Sequence, residues 1–342
     1  MDVFALTRAL VDIESITNNE ERVALYIRDW LRGLAARYGG HVETMEVEPR
    51  RFNLFAQFGE RLDVTLSTHL DTVPPFVASR EDETFIWGRG SCDAKGIIAA
   101  MVAAAESLLD GGTRNFALLF VVGEERNSIG AKTAAAAPRG SRFLINGEPT
   151  ENRLALGCKG ALRYELTARG KLAHSAYPEL GHSAIHVLLD ALRDIRAIFL
   201  PSDPLLGQAT LNVGTLSGGR APNVLADEAG AEIMFRLVGE PSAIRAEVAR
   251  AAAAHNIEAR EILYFPAVHM APLDGLPTTV VAFTTDIPSF NGAWGQPFLI
   301  GPGSIHVAHT GEERISKTEL TAAVEIYARM VRQLLAAGAA PS

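Results

Sequence analysis

The chain has only two cysteines in 342 residues, Cys92 and Cys158. Two cysteines are too few for a disulfide framework and are typical of a reducing compartment, so we expect a cytoplasmic protein. Clusters of basic residues are also missing, and the net charge is −8. This charge balance argues against nucleic acids and anionic membranes as partners.

Long hydrophobic runs are absent from the sequence as well. The longest apolar segment, residues 96–105, is far shorter than the roughly 20 residues of a bilayer-spanning helix. The chain opens with an acid at Asp2 and without a basic segment before an apolar one, so we expect no signal peptide. The remaining composition, 48% hydrophobic and 21% charged, is that of a globular protein whose length usually forms two domains.

The first 150 residues alternate between helical and extended patterns. Two amphipathic helices occupy residues 2–38, with Asn18 or Asn19 as the cap of the second helix and Gly39–Gly40 at its end. Apolar runs without polar alternation predict strands that are covered on both faces, and hence an α/β fold with a mixed, mostly parallel sheet and flanking helices. The predicted strands lie at 42–47, 53–58, 63–68, 116–122 and 142–146, and helices at 93–109 and 128–137 separate the last three.

The pattern changes after about residue 160. The order β-α-β-β-α-β predicts a separate α+β module inserted into the first domain. Its elements are expected at 161–170, 183–199, 210–218, 228–238, 241–255 and 258–265. We predict that residues 1–160 and 267–342 form the α/β domain and that residues 161–266 form the module. Strands at 278–283 and 296–301 and a helix at 317–336 would complete the α/β domain.

Polar residues follow three of the predicted buried strands. They are His69 and Asp71 after the first strand, Glu124 and Glu125 after the second, and Glu148 after the third. Because sites in open α/β sheets form beyond the carboxyl ends of the strands, we expect these side chains to share one crevice. Asp93 lies in the loop after the first of these strands and would join them.

So many carboxylates in one crevice repel one another and lose hydration unless cations lie among them. Three carboxylate ligands, two neutral histidines, two divalent ions and a bridging hydroxide together have no net charge, so we predict a dinuclear metal site. His69 is a good zinc ligand, and Asp71 can fix its tautomer by accepting the other ring N–H. Glu124 and Glu125 diverge in an extended segment, so one can bind metal while the other takes a proton from water.

The segment GRGSCDAKG (88–96) permits a second interpretation, because two glycines and a lysine before an apolar helix could form a phosphate-binding loop. A Walker loop needs Gly-Lys-Ser/Thr in that order, whereas Lys95 precedes Gly96 and no hydroxyl follows. Asp93 stands where the helix is predicted to begin, and an anion there competes with phosphate. We therefore expect that this loop positions the Asp93 carboxylate and does not bind phosphate.

Five motifs in order resemble the M20 family of dinuclear zinc amidohydrolases. They are HLDTVP (69–74), GRGSCDAKG (88–96), GEER (123–126), GEPT (147–150) and GPGSIHVAH (301–309). This family includes acetylornithine deacetylase, succinyl-diaminopimelate desuccinylase, aminoacylases and carboxypeptidase G2-like enzymes. The resemblance covers nearly the whole chain and implies a zinc-peptidase-like catalytic domain with an inserted ferredoxin-like lid and dimerisation domain.

The resemblance also implies a metal centre with assigned residues. Two Zn²⁺ ions, for which Co²⁺ or Mn²⁺ can substitute, would be held by His69, Asp93, Glu125, Glu148 and His309. Asp93 would bridge both ions, and the peptide bond after it would be cis. On sequence alone His306 competes with His309, and the pattern GPGSI-x-x-AH favours His309. The implied catalytic residues are Glu124 as general base and acid, Asp71 and His174.

In the inserted module the resemblance implies contacts with the substrate. His174, in GKLAHSAYP (170–178), would reach the active site of the partner subunit in a homodimer and donate a hydrogen bond to the oxyanion. Asn223 and Arg236 would hold the substrate carboxylate, with Lys159 as a further candidate. The chain departs from the family at Gly123, where many members carry aspartate, and the rest of that motif is intact.

These observations predict a metal-dependent hydrolase that cleaves the amide bond of a small N-acyl amino acid, similar to acetylornithine or acetyl-lysine deacetylases. A hydroxide that bridges the metals would attack, with Glu124 as general base. A dipeptidase or metallocarboxypeptidase with the same metals is the alternative. A metal-binding homologue without activity is a third hypothesis, and the intact Glu124 argues against it.

Overall fold

A computed structural model describes residues 1–338, in which helices and strands alternate. The helices are α1 (Val3–Val11), α2 (Glu21–Tyr38), α3 (Lys95–Asp110), α4 (Ile129–Ala136), α5 (Ala184–Arg196), α6 (Ser242–His255), α7 (Ile287–Phe290) and α8 (Lys317–Gly338). The strands are β1 (His41–Glu48), β2 (Arg51–Phe58), β3 (Val64–His69), β4 (Arg80–Glu81), β5 (Phe85–Trp87), β6 (Phe116–Val121), β7 (Phe143–Asn146), β8 (Leu154–Cys158), β9 (Gly160–Arg169), β10 (Ser202–Asp203), β11 (Gly207–Gln208), β12 (Thr210–Gly218), β13 (Glu228–Leu237), β14 (Glu258–Phe265), β15 (Val268–His269), β16 (Thr278–Val281), β17 (Gln296–Leu299) and β18 (Arg314–Ser316).

The chain divides into two compact units. The second unit comprises residues 157–269 and 280–284, and the first comprises the rest. The second unit begins and ends beyond the predicted module, 161–266, because Cys158 pairs with Val268 across those predicted boundaries. Residues 280–284 belong with it because the backbone N–H of Lys159 donates to the carbonyl oxygen of Val281 at 3.2 Å. A role of this unit as a lid stays a prediction.

One mixed sheet organises the first unit. Its strands follow the order β1-β2-β6-β3-β7-β17-β8-β15, and β16 also pairs with β8. The four central strands β6, β3, β7 and β17 run parallel to one another. On one side β1 and β2 pair antiparallel, as does β2 with β6, and on the other side β8 pairs antiparallel with β17 and with β15. The predicted α/β fold with a mixed sheet and flanking helices is confirmed.

Successive side chains of a strand point to opposite faces of the sheet, and the central strands are buried on both of these faces. In β6, Leu118 and Phe120 pack in a cluster with residues of α1, α2, α3 and α8. Leu119 and Val121 pack in a second cluster with residues of α4 and α7. Continuous apolar runs such as FALLFVV are therefore explained by helices on both sides of the sheet.

Some boundaries differ from the sequence prediction. β3 extends to His69, and α3 begins only at Lys95. The predicted cap of α2 by Asn18 or Asn19 is wrong, since Glu20 precedes the helix and makes no capping hydrogen bond. Glu20 is instead fully buried and binds the Arg51 guanidinium through both oxygens, at 2.6 and 2.9 Å.

A small antiparallel sheet of β4, β5 and β18 was not predicted. Strands of two or three residues are too short for a periodic pattern. Their pairing places Arg314 opposite Trp87, just before the loop that carries Asp93. This sheet therefore connects that loop to the segment after His309.

The second unit is a four-stranded antiparallel sheet with two helices packed on it. The strand order is β12-β13-β9-β14, and α5 and α6 supply apolar side chains to its core. The elements follow the chain in the predicted order β-α-β-β-α-β, with the short strands β10 and β11 inserted before β12. Within residues 1–338, no helix combines the length and the apolar composition that crossing a bilayer requires.

Phe120→Ala tests the core between the sheet and its helices. Phe120 is fully buried, so its truncation leaves a cavity, and we expect the free energy of unfolding to fall by about 3–5 kcal/mol. Tryptophan fluorescence during urea unfolding reports the first unit, because all three tryptophans lie in it. The control is Glu83→Ala, at an exposed position of the same unit, which should change the value by less than about 0.5 kcal/mol. A loss for Phe120→Ala as small as that of the control would contradict this packing.

Candidate metal centre

β3 brings His69 to the carboxyl end of the sheet, next to Asp93. The His69 side chain is buried, and its Nε2 lies 2.9 Å from Oδ1 of Asp93. Its Nδ1 lies 2.9 Å from the backbone oxygen of Asp71. An N–H at Nδ1 would donate to that carbonyl and leave Nε2 as the atom available to a metal ion.

Two groups of ligand atoms share Asp93. His69, Asp93 and Glu148 offer atoms within 4.8 Å of one another, and so do Asp93, Glu125 and His309. Oδ1 of Asp93 is the oxygen near His69, whereas Oδ2 lies 3.2 Å from Nε2 of His309. The same Nε2 lies 2.9 Å from Oε1 of Glu125. Because its two oxygens face different groups, Asp93 has the position of a bridging ligand.

The donor set fits two divalent ions. Oε1 of Glu148 is buried and has no hydrogen-bond partner among residues 1–338, which suits an atom that binds a metal ion. Two imidazoles and three carboxylates are a typical ligand set for zinc and for related divalent ions. Without cations, carboxylates this close and this buried repel one another.

Burial and mutual repulsion set the protonation of these groups. Burial, followed by the charge of Glu148, raises the pKa of Glu124 well above its usual range. Burial and the charge of Asp93 do the same to the pKa of Glu148. Hydrogen bonds to Asp93 and Glu125 raise the pKa of His309 to about 10. For Asp93, burial acts in the opposite direction, but bonds to the histidines outweigh it and lower the pKa.

Asp71 acts differently from the sequence expectation. Its carboxylate lies 3.6 Å from Nδ1 of His69, too far for a hydrogen bond, so the backbone carbonyl and not the carboxylate meets the ring. The carboxylate instead accepts the backbone N–H groups of Glu124 at 3.1 Å and Glu125 at 3.2 Å. It also accepts the Thr17 hydroxyl at 2.8 Å. Asp71 thus holds the loop of the paired glutamates.

Comparisons with known proteins identify the family of this chain. Residues 65–333 match peptidase family M20/M25/M40. A peptidase M20 domain-containing protein of Schizosaccharomyces pombe is 37% identical over 340 residues, which span 96% of this chain and 84% of the relative. The chain belongs to the M20 peptidase family. The resemblance found in the sequence is confirmed, and with it the expectation of a hydrolase.

Two further comparisons concern activity and fold. A probable carboxypeptidase of Aspergillus terreus is 36% identical to this M20 chain over 366 residues, which span 95% of the chain and 84% of the relative. The structure of an M20 family metallo-carboxypeptidase from Sulfolobus solfataricus superposes with a TM-score of 0.76 at 16% identity. That match covers 98% of this chain and 99% of the other, and shows that the two share a fold.

The loop 88–96 of this M20 chain places an acid, as expected. The peptide bond between Asp93 and Ala94 is cis. Gly96 lies where a Cβ would come within 2.3 Å of the carbonyl oxygen of Ser91, so the loop folds too tightly for a side chain there. Of the two competing histidines, His309 is the one beside Asp93, whereas His306 belongs to neither group of ligand atoms.

Gly123, where many family members carry aspartate, has a backbone conformation that favours glycine. Its φ is +79°, in the left-handed region. A Cβ at this position would lie 2.9 Å from Cγ2 of Ile129 and 3.0 Å from Nη2 of Arg51. Arg51 is already paired with the buried Glu20, so glycine is compatible with the packing here.

In the second unit, His174 and Asn223 lie on neighbouring segments. The N–H of Ser175 donates to the backbone oxygen of Asn223 at 2.9 Å, and both candidate residues are exposed. Nδ1 of His174 accepts the N–H of Ala176 at 3.1 Å. A neutral ring with Nδ1 as acceptor carries its proton on Nε2, so His174 presents a donor.

Arg236 and Lys159 form a second pair of candidates in this unit. Nη1 of Arg236 donates to the Thr284 hydroxyl at 3.2 Å, and that hydroxyl donates to the carbonyl oxygen of Lys159 at 3.3 Å. Nζ of Lys159 donates to the carbonyl oxygen of Gln208 at 2.6 Å. Burial lowers the pKa of Arg236. The roles of all four residues toward a substrate stay predictions.

Two buried acids of the first unit escaped the sequence analysis. Glu313 accepts backbone N–H groups from the loop of Asp93. Asp286 precedes α7, and burial raises its pKa to about 7. It interacts electrostatically with Glu124 and Glu148. Glu313 could be recognised in the sequence as a carboxylate shortly after the candidate ligand His309. Asp286 lies in an apolar, hydroxyl-rich segment that contains none of the motifs.

Metal binding should release protons from this centre. At pH 7 the raised pKa of His309, about 10, keeps its ring protonated in the metal-free chain, and a metal ion must displace that proton. We therefore expect Co²⁺ affinity to rise as the pH increases toward about 10, with about one proton or more released per chain at pH 7. Isothermal titration in two buffers of different ionisation enthalpy measures the number.

Two histidine variants sharpen this test. His309→Ala should lower both the Co²⁺ affinity and the number of protons released. His306→Ala removes an exposed imidazole nearby and should change neither. Tight binding to the unaltered chain with no proton release at pH 7 would contradict the described centre.

Proposed function

We propose that this chain is a dinuclear metallopeptidase that removes an amino acid from the carboxyl end of a peptide, with a dipeptide as the smallest substrate. The observation that carries the proposal is that two groups of ligand atoms share Asp93 while the Glu124 carboxylate belongs to neither. The names of the Aspergillus and Sulfolobus proteins, carboxypeptidase in both, support this substrate class.

Five side chains would hold the metal. His69 and Glu148 would bind one ion, Glu125 and His309 the other, and Asp93 both. Two divalent ions bound there would lower the pKa of a water molecule and polarise the oxygen of the scissile amide. We propose zinc as the ion, with Co²⁺ or Mn²⁺ as substitutes, because the ligands mix imidazole and carboxylate.

Glu124 would transfer the proton. Its N–H is held by Oδ1 of Asp71 while that of Glu125 is held by Oδ2, so the loop is fixed at both glutamates. Glu125 extends to His309, which leaves Glu124 to face the reacting amide. Since burial raises its pKa, Glu124 accepts a proton from water more readily than a solvated glutamate does. It would then give that proton to the leaving amine.

The second unit would recognise the substrate. Arg236 presents a partly buried guanidinium that donates to the Thr284 hydroxyl, a setting that suits a free carboxylate. Lys159 and Asn223 would contribute to the same contact. His174 would donate from Nε2 to the oxyanion, and in a homodimer the partner subunit would supply it.

An N-acyl amino acid deacylase, which the sequence analysis favoured, would use the same groups. Its substrate also has an amide bond and a free carboxylate, so the chemistry at Glu124 would be identical. The names of the relatives favour the peptidase instead. Rates of hydrolysis of N-acetyl-ornithine, dipeptides and N-blocked dipeptides distinguish the two activities. A clear preference for N-acetyl-ornithine would contradict the peptidase proposal and support the deacylase.

Glu124→Gln tests the general base. We expect kcat for dipeptide hydrolysis to fall by about 10²–10⁴-fold, because the amide cannot accept the proton of water. The metal content of the same samples should stay at two ions per chain, since Glu124 belongs to neither ligand group. Glu83→Gln, an exposed carboxylate, is the control. Full turnover with metal bound would exclude Glu124 as the base, and loss of metal would make it a ligand.

Arg236→Met tests carboxylate recognition. We expect KM for an N-blocked dipeptide to rise by about 10-fold or more, because a charge-assisted hydrogen bond is lost. The amide of the same peptide should be a poor substrate of the unaltered chain and should be little affected by the substitution. Arg169→Met, whose side chain is 76% exposed on β9, is the control. Equal KM changes for the acid and the amide would argue against this role.

A further inference from the structure

The loop that leads to Asp93 binds a carboxylate of the same chain, that of Glu313. Oε1 of Glu313 accepts backbone N–H groups from Gly90 at 2.8 Å, Cys92 at 3.3 Å and Asp93 at 3.2 Å. Backbone N–H groups that converge on one point form an anion-binding nest. In this chain Glu313 fills the nest.

The second oxygen of Glu313 pairs with Arg89. Oε2 accepts from Nη1 of Arg89, and both side chains are only 2% exposed. Arg89 is held in turn by Pro75, whose carbonyl oxygen accepts its Nε at 3.2 Å, and by Val77, whose carbonyl oxygen accepts its backbone N–H at 3.0 Å. Because the guanidinium balances the carboxylate, the filled nest can be buried without a net charge.

Glu313 also connects the two sides of the metal centre. It lies four residues after His309, so one short segment carries a candidate ligand and the group that holds the backbone of Asp93. Arg314 follows it and pairs with β5. The backbone oxygen of Glu313 accepts the N–H of Gly88 at 3.1 Å. The position of the His309 segment along the Asp93 loop is therefore set by backbone pairing as well as by the side chain.

We propose that Glu313 is a positioning residue of the metal centre, which orients the Asp93 carboxylate between His69 and His309 by filling the nest. The proposal rests on the metal centre of the proposed function and gives Glu313 no contact with substrate. The two oxygens of Asp93 face different histidines, so any rotation of its backbone moves both contacts at once. A bridging ligand depends strongly on such support.

Two double variants separate this anchoring from the ion pair. Arg89→Met with Glu313→Gln and Arg89→Met with Glu313→Leu both remove the ion pair, but only glutamine keeps an oxygen that accepts the N–H groups. We expect the glutamine variant to bind Co²⁺ within about 3-fold of the unaltered chain, and the leucine variant about 10–100-fold more weakly. Titration of the metal-free proteins gives the Kd and the visible spectrum of bound Co²⁺. The leucine variant should also lose kcat more than it changes KM.

Hydrogen exchange of the metal-free proteins provides a readout without metal. Backbone amides in residues 88–95 should exchange faster in the leucine variant than in the glutamine variant. Glu312→Gln, at the exposed neighbouring position, is the control and should leave Co²⁺ binding and exchange unchanged. Equal Co²⁺ affinity and equal exchange in the two double variants would overturn the proposal and leave Glu313 with a structural ion pair only.

The outcomes also separate this proposal from the proposed function. If the unaltered chain binds two Co²⁺ ions and hydrolyses dipeptides while the two double variants do not differ, only the role of Glu313 is overturned. If the unaltered chain binds no Co²⁺, both proposals fail. Should the leucine variant not fold, Glu313→Asp replaces it, since it keeps a charge beside Arg89 but withdraws the oxygen from the nest. Unchanged Co²⁺ binding by that variant would overturn the proposal.

Discussion

Buried carboxylates that share one crevice stay ionised together only beside cations, and the first unit is organised around this constraint. Asp93, Glu125 and Glu148 meet at the carboxyl end of the sheet because the strands and the loop that deliver them end on the same rim. Burial and the charge of Asp93 raise the pKa of Glu148, and hydrogen bonds to Asp93 and Glu125 raise that of His309, so both groups bind protons more readily than they would in water. Divalent ions would compensate the repulsion between the carboxylates and would compete with protons for the same atoms.

The sequence predicted the structure correctly where the residues that determine an element lie within one continuous segment. The run FALLFVV predicts a strand covered on both faces, and β6 has apolar clusters on each side. Parallel strands end on one rim, so His69 and Glu148 could be expected near each other before any coordinates were known. The family resemblance added His309, which is far along the chain from Asp93 and is indeed beside it.

The sequence was uninformative where the partner of a side chain lies in a distant segment. Glu20 looks like part of a helix start, yet it pairs with Arg51 in the core. Asp71 could be expected near His69, but its carboxylate is used by the N–H groups of the glutamate loop. Both residues are acids next to a recognisable element, and only the folded chain determines which of several donors each one meets.

The loop 88–96 is a further case in which the function of a segment could not be predicted because its partner lies far along the chain. A phosphate-binding loop and this loop both need glycine and converging N–H groups, so the local sequence fits either one. They differ in the origin of the anion, and Glu313 comes from more than 200 residues further along the chain, at a separation of 223 from Gly90. Since one oxygen of Glu313 already accepts three N–H groups and the other pairs with Arg89, a phosphate could enter only by breaking a buried ion pair. The anion bound by this loop is thus the Glu313 carboxylate of the same chain. The site holds the backbone of Asp93 and does not bind an external ligand.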